Sequence, residues 1–270
     1  ALLGKFGEAI VGFPGGDNIG PRPIDQHIKG FKTLGAHVEE KENTVHITTG
    51  PEGLHGARIF FDLVSVGATI NVLLAAVKAK GLTIMENVAR EPEIVDLATF
   101  LNNMGAHIRG AGTNEIRVQG VDSLKSMNVH TIIPDRIEAG TYLSFAAANG
   151  NGVLVKNVIT EHLDPFLSKL EEMGVRMEID EDEIYVPGGD VLSPVNIKTS
   201  PFPGFATDLQ QPITPLLMQA RGSSTIIDTL YPERTKHIPE MQRMGAKISS
   251  KDGIITVGHS TDLSGTVVEA

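Results

Sequence analysis

The amino-acid sequence predicts an α/β protein, in the wider sense that includes α+β, built from repeated strand–helix–strand–helix–strand–strand units. Three observations lead to this prediction. A short glycine-centred motif recurs four times at nearly constant spacing. Helix-like and strand-like segments alternate in phase with that motif. One helix of each unit is apolar on nearly all sides, which is typical of a buried helix.

The recurring motif is centred on Gly35, Gly105, Gly174 and Gly245, which are 70, 69 and 71 residues apart. An apolar residue precedes each glycine, and the glycine is expected to end a helix in the left-handed conformation. A generic two-layer protein also alternates helices and strands, but it rarely keeps a constant period. The spacing therefore indicates repeated supersecondary units.

The remaining elements follow in order from the apolar periodicity. Helices that end at the glycines are predicted over 22–34, 91–104, 161–173 and 234–244, and the apolar helices over 66–80, 137–149 and 209–220. Strands are predicted at 44–48, 114–119, 183–187 and 253–257, at 57–61, 129–133 and 195–199, and at 82–88, 153–158 and 225–230.

Composition excludes several classes of function. The 270 residues carry a formal net charge of −10, which argues against nonspecific nucleic-acid binding. No apolar run approaches the ~20 residues that cross a bilayer. There is no cysteine, and the nine histidines show no metal-binding spacing. Because the net charge is negative, an anionic ligand must be attracted by local positive charges.

The segment 14–27 supplies such charges. It places Gly15, Gly16, the carboxylate of Asp17 and the guanidinium of Arg22 before a predicted helix, with Pro23 suited to the first turn. The N–H groups of a first turn attract anions. The segment therefore fits a phosphorylated ligand with a titratable group beside it; an ordinary loop leading into an ordinary helix is the alternative.

This segment resembles the active-site loop of the UDP-N-acetylglucosamine 1-carboxyvinyltransferases, a family of enolpyruvyl transferases, with Asp17 where most of the family has cysteine. Segments 62–69, 86–96, 134–141 and 203–210 extend the resemblance over nearly the whole chain. The resemblance implies two inside-out α/β lobes of three units each, with sheets outside and one helix per unit inside. Six units exceed 270 residues, so an internal part of a longer protein is expected, with lobes at 1–133 and 134–270.

The resemblance also implies an activity. The family transfers the enolpyruvyl group of phosphoenolpyruvate to the 3′-hydroxyl of UDP-N-acetylglucosamine by addition and then elimination of phosphate, without a metal or organic cofactor. This is the first committed step of peptidoglycan synthesis, so a cytoplasmic role in cell-wall formation, cell shape and division is expected. The implied partners are these two small molecules, with no nucleic acid and no membrane.

Catalytic roles follow from the same resemblance. Asp208 matches the proposed general base. Without the family match, capping of the following helix by Asp208 or by Thr207 is the favoured explanation. Asp17 matches the acid, and Arg22 matches a residue that contacts both substrates. A carboxylate attacks epoxides less readily than a thiolate does, so the family inhibitor fosfomycin is not expected to alkylate Asp17.

Binding roles are implied for further residues. They are Pro23, Ile24, Asp25 and Gln26 at the uridine, Ser65, Val66 and Gly67 at the diphosphate, and the backbone of Leu230 at the nucleotide-sugar. Capping by Ser65 is compatible with its binding role, and His27 suits a structural role as well as a ligand role.

Two other functions stay open at this point. A 3-phosphoshikimate 1-carboxyvinyltransferase shares the fold and the phosphoenolpyruvate donor. Two features favour a non-catalytic nucleotide-sugar-binding relative. One is Asp17, which is a natural, an engineered or an inactivating change, and the other is Tyr231-Pro232-Glu233-Arg234, where the family tends to have Phe-Glu-Asn-Arg.

Overall fold

The computed structural model describes residues 1–13, 15–16, 19–126 and 129–269. Its internal contacts divide the chain into two compact units, and each has its own hydrophobic core. Of the described residues, unit 1 contains 1–13, 15–16, 21–126 and 129–133, and unit 2 contains 19–20 and 134–269. Within the described ranges, no helix combines the length and apolar character needed to cross a membrane.

Unit 1 contains two sheets and four helices in its described part. The elements are α1 (Leu2–Phe6), β1 (Glu8–Gly12), α2 (Asp25–Thr33), β2 (Ala36–Lys41), β3 (Thr44–Thr49), β4 (Arg58–Phe60), α3 (Val66–Ala76), β5 (Leu82–Glu86), α4 (Pro92–Asn103), β6 (His107–Arg109) and β7 (Glu115–Gln119). One sheet has the antiparallel order β1-β3-β2. The other has the order β4-β5-β7-β6, in which only β4 and β5 are parallel.

Unit 2 repeats this plan. Its elements are α5 (Arg136–Asn149), β8 (Val153–Lys156), α6 (Asp164–Glu172), β9 (Glu178–Ile179), β10 (Glu183–Val186), β11 (Asn196–Lys198), α7 (Gln210–Leu217), β12 (Ser223–Ile227), α8 (His237–Arg243), β13 (Ile248–Lys251) and β14 (Ile254–Gly258). Short 3₁₀ turns at Thr160–His162 and Thr207–Leu209 precede α6 and α7. The sheet orders are β8-β10-β9 and β11-β12-β14-β13, with β11 and β12 parallel.

The predicted fold class and the role of the recurring glycines are confirmed. Gly35, Gly105, Gly174 and Gly245 have φ angles of 93°, 98°, 89° and 94°. A side chain is strained in this left-handed region, so glycine ends each helix at little cost. The apolar helices α3, α5 and α7 each contribute fully buried side chains to the core of their own unit.

The strand predicted at 129–133 is wrong, because the described residues there belong to no strand. Val129 and Ile132 are 77% and 76% exposed. An extended apolar pattern becomes a strand only when a neighbouring strand satisfies its backbone groups. In the other repeats the corresponding strand pairs in parallel with the strand before the next helix, β4 with β5 and β11 with β12. The equivalent partner for 129–133 is β8, which among the described elements pairs with β10 alone.

Several predicted helix ends also shift. α2 begins at Asp25, so Pro23 lies before the helix and not in its first turn, because Ile24 has the non-helical angles φ −110° and ψ 9°. α8 begins at His237, which leaves Arg234 in the preceding turn. α3 ends at Ala76 and α7 at Leu217, each a few residues earlier than predicted.

Helices α2 and α3 approach each other closely at Gly30. A Cβ atom built on Gly30 lies 2.3 Å from Cγ2 of Val72 in α3. Only glycine permits this approach, which brings the first turns of the two helices and the loops before them together in unit 1.

Candidate active site

The glycine loop of unit 1 lies against the guanidinium of Arg22. Gly16 has a φ of 103°, and a Cβ built on it lies 3.5 Å from Nη1 of Arg22. Arg22 is an exposed residue at the end of this loop. Asp17, the predicted acid, lies outside the described residues, so its role stays a prediction.

Gln26 joins the start of α2 to the loop that follows β4. Its Oε1 accepts a hydrogen bond from the backbone N–H of Asp62 at 2.9 Å, and its Nε2 donates to carboxylate oxygens of Asp62 at 3.2 Å and Asp25 at 2.7 Å. The residue is only 5% exposed. These bonds give Gln26 a structural role beside the predicted uridine-binding segment. Pro23 and Asp25 are exposed there, and Ile24 is half-buried against the core.

Asp62 also has a cationic partner, in addition to the neutral amide of Gln26. Lys29 Nζ lies 2.7 Å from Asp62 Oδ1. Hydrogen bonds from Lys29 and then from Gln26 lower the pKa of the Asp62 carboxyl from its ordinary value. The loop that leads from β4 into α3 is therefore bonded to α2 through Asp62.

Ser65, Val66 and Gly67 form the N-terminal end of α3. Ser65 caps the helix, because its Oγ accepts a hydrogen bond from the N–H of Ala68 at 3.2 Å. The N–H groups of a first helical turn have no intrahelical acceptor. These three residues, predicted to bind the diphosphate, therefore lie at a helix end of the kind that attracts anions, while the Ser65 hydroxyl serves as a cap.

His27 brings the two predicted binding segments of unit 1 together. A Cβ built on Gly67 lies 3.0 Å from His27 Nε2, so the imidazole lies directly against the α3 backbone. His27 Nδ1 is buried without a hydrogen-bond partner in the described part of the chain. Burial lowers the pKa of His27, and the charge of Asp25 opposes this shift. The imidazole is therefore neutral at neutral pH.

Asp208, the predicted base, lies in the 3₁₀ turn before α7 of unit 2. Its side chain is 57% exposed, and Oδ1 accepts a hydrogen bond from Arg234 Nη1 at 2.5 Å. The N-cap positions of the turn and of α7 are Ala206 and Leu209, and among the described residues the side-chain bonds of Thr207 and Asp208 go to Asp228 and Arg234. The capping alternative is thus excluded, and the carboxylate is held by an arginine while it faces solvent.

Arg234 is connected to a buried carboxylate through Thr207. Its Nη1 also lies 3.3 Å from Thr207 Oγ1, which donates to Oδ2 of Asp228 at 2.6 Å. Asp228 is 4% exposed. The chain Asp228–Thr207–Arg234–Asp208 is called the aspartate network below.

Sequence analysis missed Asp228 and the pairing of Arg234. A signal for Asp228 exists: Ser224 and Ile226 are the buried positions of β12, and Asp228 continues the same two-residue period just beyond the strand. An acid at an inward position is costly unless it is hydrogen-bonded, and this cost marks it as a structural or functional group. Arg234 carries no comparable local signal.

Leu230, predicted to contact the nucleotide-sugar through its backbone, has its N–H engaged. The N–H groups of Leu230 and Tyr231 donate to Asp228 Oδ1 at 3.0 and 2.9 Å. A ligand contact at Leu230 therefore has to use its carbonyl oxygen.

His237 lies near the guanidinium of Arg234. Both ring nitrogens are buried without a hydrogen-bond partner among the described residues. Burial, and after it the positive charge of Arg234, lowers the pKa of His237. No group of three or more metal-ligating side chains occurs in the ranges that the structure covers.

Two solved structures share this architecture. The enolpyruvyl transferase NikO from Streptomyces tendae matches with a TM-score of 0.83 at 21% identity, over 96% of this chain and 62% of NikO. An EPSP synthase from Acinetobacter baumannii matches with a TM-score of 0.64 at 19% identity, over 98% of this chain and 65% of that one. At these identities the likeness shows the fold.

Sequence relatives are more specific. A family model described as EPSP synthase (3-phosphoshikimate 1-carboxyvinyltransferase) matches residues 1–270, and the chain belongs to this family. It is 66% identical over its whole length to UDP-N-acetylglucosamine 1-carboxyvinyltransferase 2 of Lactiplantibacillus plantarum, and 60% identical over 272 residues to UDP-N-acetylglucosamine 1-carboxyvinyltransferase of Lactobacillus johnsonii. It spans 63% and 64% of their lengths. The resemblance predicted from the motifs is confirmed.

Proposed function

We propose that this chain carries acceptor-binding and proton-transfer residues of an enzyme that moves the enolpyruvyl group of phosphoenolpyruvate to the 3′-hydroxyl of UDP-N-acetylglucosamine. Relatives that are 60–66% identical carry the name of this activity. The active-site loop and the four further motifs support the same assignment.

The observation that carries the proposal is the state of Asp208. One carboxylate oxygen is held by Arg234, the side chain is exposed, and it has no capping role. Within the part of the chain that the structure describes, no hydrogen bond to Oδ2 is found. A carboxylate that is oriented on one side and open on the other suits a general base for a sugar hydroxyl.

The proposed reaction assigns roles to unit 1 as well. The 3′-oxygen bonds to C2 of phosphoenolpyruvate as Asp208 takes the hydroxyl proton and Asp17 gives a proton to the methylene carbon. The methyl group then returns a proton to the Asp17 carboxylate while the C2–O bond to phosphate breaks and phosphate leaves. Arg22 binds a phosphate or carboxylate group of the substrates, since a guanidinium is suited to two parallel hydrogen bonds. The backbone at Ser65, Val66 and Gly67 binds the diphosphate.

Calorimetry on the chain tests the acceptor. We expect UDP-N-acetylglucosamine to bind and shikimate 3-phosphate not to bind. The reverse result would support the second candidate, a 3-phosphoshikimate 1-carboxyvinyltransferase, which the description of the matching family model favours.

Turnover is tested in a chimera in which the flanking segments of the Lactiplantibacillus plantarum relative complete the chain to full family length. We expect phosphate release that requires both substrates and persists in the presence of a chelator, because no metal is assigned a role. Tight nucleotide-sugar binding without turnover would instead support the non-catalytic alternative. Activity of this kind would belong to the cytoplasmic stage of peptidoglycan synthesis.

A further inference from the structure

Asp228 is a buried carboxylate that accepts four hydrogen bonds. Its Oδ1 accepts three hydrogen bonds, from Thr199 Oγ1 at 2.8 Å and from the N–H groups of Leu230 and Tyr231. Its Oδ2 accepts one, from Thr207 Oγ1 at 2.6 Å. A buried carboxylate with four donors is fixed in position, and so are the groups that donate to it.

The direction of each bond in the aspartate network is determined by this carboxylate. A carboxylate only accepts, so the single hydroxyl proton of Thr207 must point to Asp228. The lone pairs of Thr207 Oγ1 are then left to accept from Arg234, which lies 3.3 Å away. The same Nη1 of Arg234 donates to Asp208. The orientation of the guanidinium, and through it that of Asp208, is thus linked to Asp228.

We propose that Asp228 is a positioning residue that holds Asp208 in its reactive orientation through Thr207 and Arg234. This inference rests on the proposed function, in which Asp208 is the general base. Asp228 does not touch the substrate; it sets the direction of the hydrogen bonds that reach the base.

Asp228→Asn is the sharpest test, because it keeps the size of the side chain and reverses one bond. Three donors converge on the Oδ1 position, so the amide oxygen of the asparagine occupies it and the NH₂ group faces Thr207. Thr207 then accepts from the new amide, and its own proton is released toward Arg234, which is also a donor. The Thr207 hydroxyl and Arg234 Nη1 are then both donors and cannot bond to each other. The guanidinium therefore loses the hydrogen bond to Thr207 that positions it next to Asp208.

In the chimera we expect Asp228→Asn to lower kcat by about 10- to 100-fold, the scale of a misplaced catalytic group, with KM for both substrates changed less than about threefold. Thr207→Val should reduce kcat similarly. Thr207→Ser, which keeps the hydroxyl, should have a kcat close to that of the unsubstituted chimera. The double variant Asp228→Asn/Thr207→Val should lose no more than the larger single effect, since both changes break the same link.

Asp190→Asn is the matched control for a loss of stability. The Asp190 side chain is 10% exposed and accepts hydrogen bonds from the backbone N–H and Nε of Arg176, away from the aspartate network in the same unit. We expect it to lower the melting temperature and leave kcat unchanged.

The outcomes separate this inference from the proposed function. A chimera with no turnover before any substitution overturns the proposed function. An active chimera in which Asp228→Asn keeps full kcat, in which Asp190→Asn lowers kcat equally, or in which the effects of Asp228→Asn and Thr207→Val multiply, overturns the positioning role alone.

Discussion

Replacing Gly30 with alanine tests whether the close approach of α2 and α3 holds unit 1 together. On helix propensity alone the change is favourable, because alanine is preferred over glycine inside a helix by about 0.5–1 kcal/mol. The structure predicts the opposite sign. The new Cβ lies 2.3 Å from Val72 Cγ2, about 1.1 Å inside the 3.4 Å at which ordinary contact begins.

The expected magnitude follows from what can move. Val72 is fully buried, and a valine in a helix has one strongly preferred rotamer, so its methyl group cannot turn away cheaply. Inserting a methylene into a tight core costs about 1–3 kcal/mol. After subtraction of the propensity gain, we expect Gly30→Ala to lower the free energy of unfolding of unit 1 by about 1–2 kcal/mol.

The assay has to report on unit 1 specifically. All three tyrosines, Tyr142, Tyr185 and Tyr231, belong to unit 2, and the chain has no tryptophan. Tyrosine fluorescence therefore follows the wrong unit. Amide hydrogen exchange of α3, read by mass spectrometry, measures the local opening free energy where the clash occurs. Gly50→Ala is the control, because a Cβ on Gly50 meets nothing within 4 Å.

A double-mutant cycle with Val72→Ala provides the refutation. Val72→Ala alone leaves a cavity and is destabilising, but in the Gly30→Ala background it also removes the clash. We expect a favourable coupling of at least about 1 kcal/mol. Additive effects, or a Gly30→Ala variant as stable as the parent, would show that the helices are not in the contact that the structure describes.

Three further predictions follow from other parts of the chain. Arg109→Thr should stabilise unit 1 by about 0.2–1 kcal/mol, because Arg109 lies directly opposite Arg117 across β6 and β7. Amide hydrogen exchange of this sheet should become slower in Arg109→Thr and stay unchanged in Arg109→Lys, which keeps the charge. The unfolded chain protonates His237 below about pH 6.5 while burial and Arg234 keep the folded residue neutral, so the stability of unit 2, followed by tyrosine fluorescence in urea, should fall as the pH drops below this value. His237→Gln should flatten this dependence, and an unchanged slope would contradict it. Fosfomycin should leave the chimera unmodified in mass spectrometry, whereas an Asp17→Cys chimera should gain the mass of the inhibitor; an adduct on Asp17 would reject the prediction.

Much of the repeated architecture could be predicted because it depends on local rules. The four left-handed glycines each end a helix for a backbone reason that a single residue type reveals. The strand predicted at 129–133 failed because strand formation depends on a neighbour that is distant in sequence. The predicted start of α2 was a few residues too early, because Ile24 has a non-helical conformation although Pro23 is suited to a first turn.

The order of residue types by itself determined the period, the alternation of elements and the motifs that identify the family. Each of these depends on short segments whose residues are neighbours in the sequence, and the period is the spacing between such segments. Only the tertiary structure decided which side chains act together. Asp208 and Arg234 are 26 residues apart, and the Asp228 carboxylate that orders the bonds between them lies beyond the end of a strand in the same unit. Hydrogen bonds depend on distance and direction in space, so a partner separated by many residues leaves no trace in local pattern.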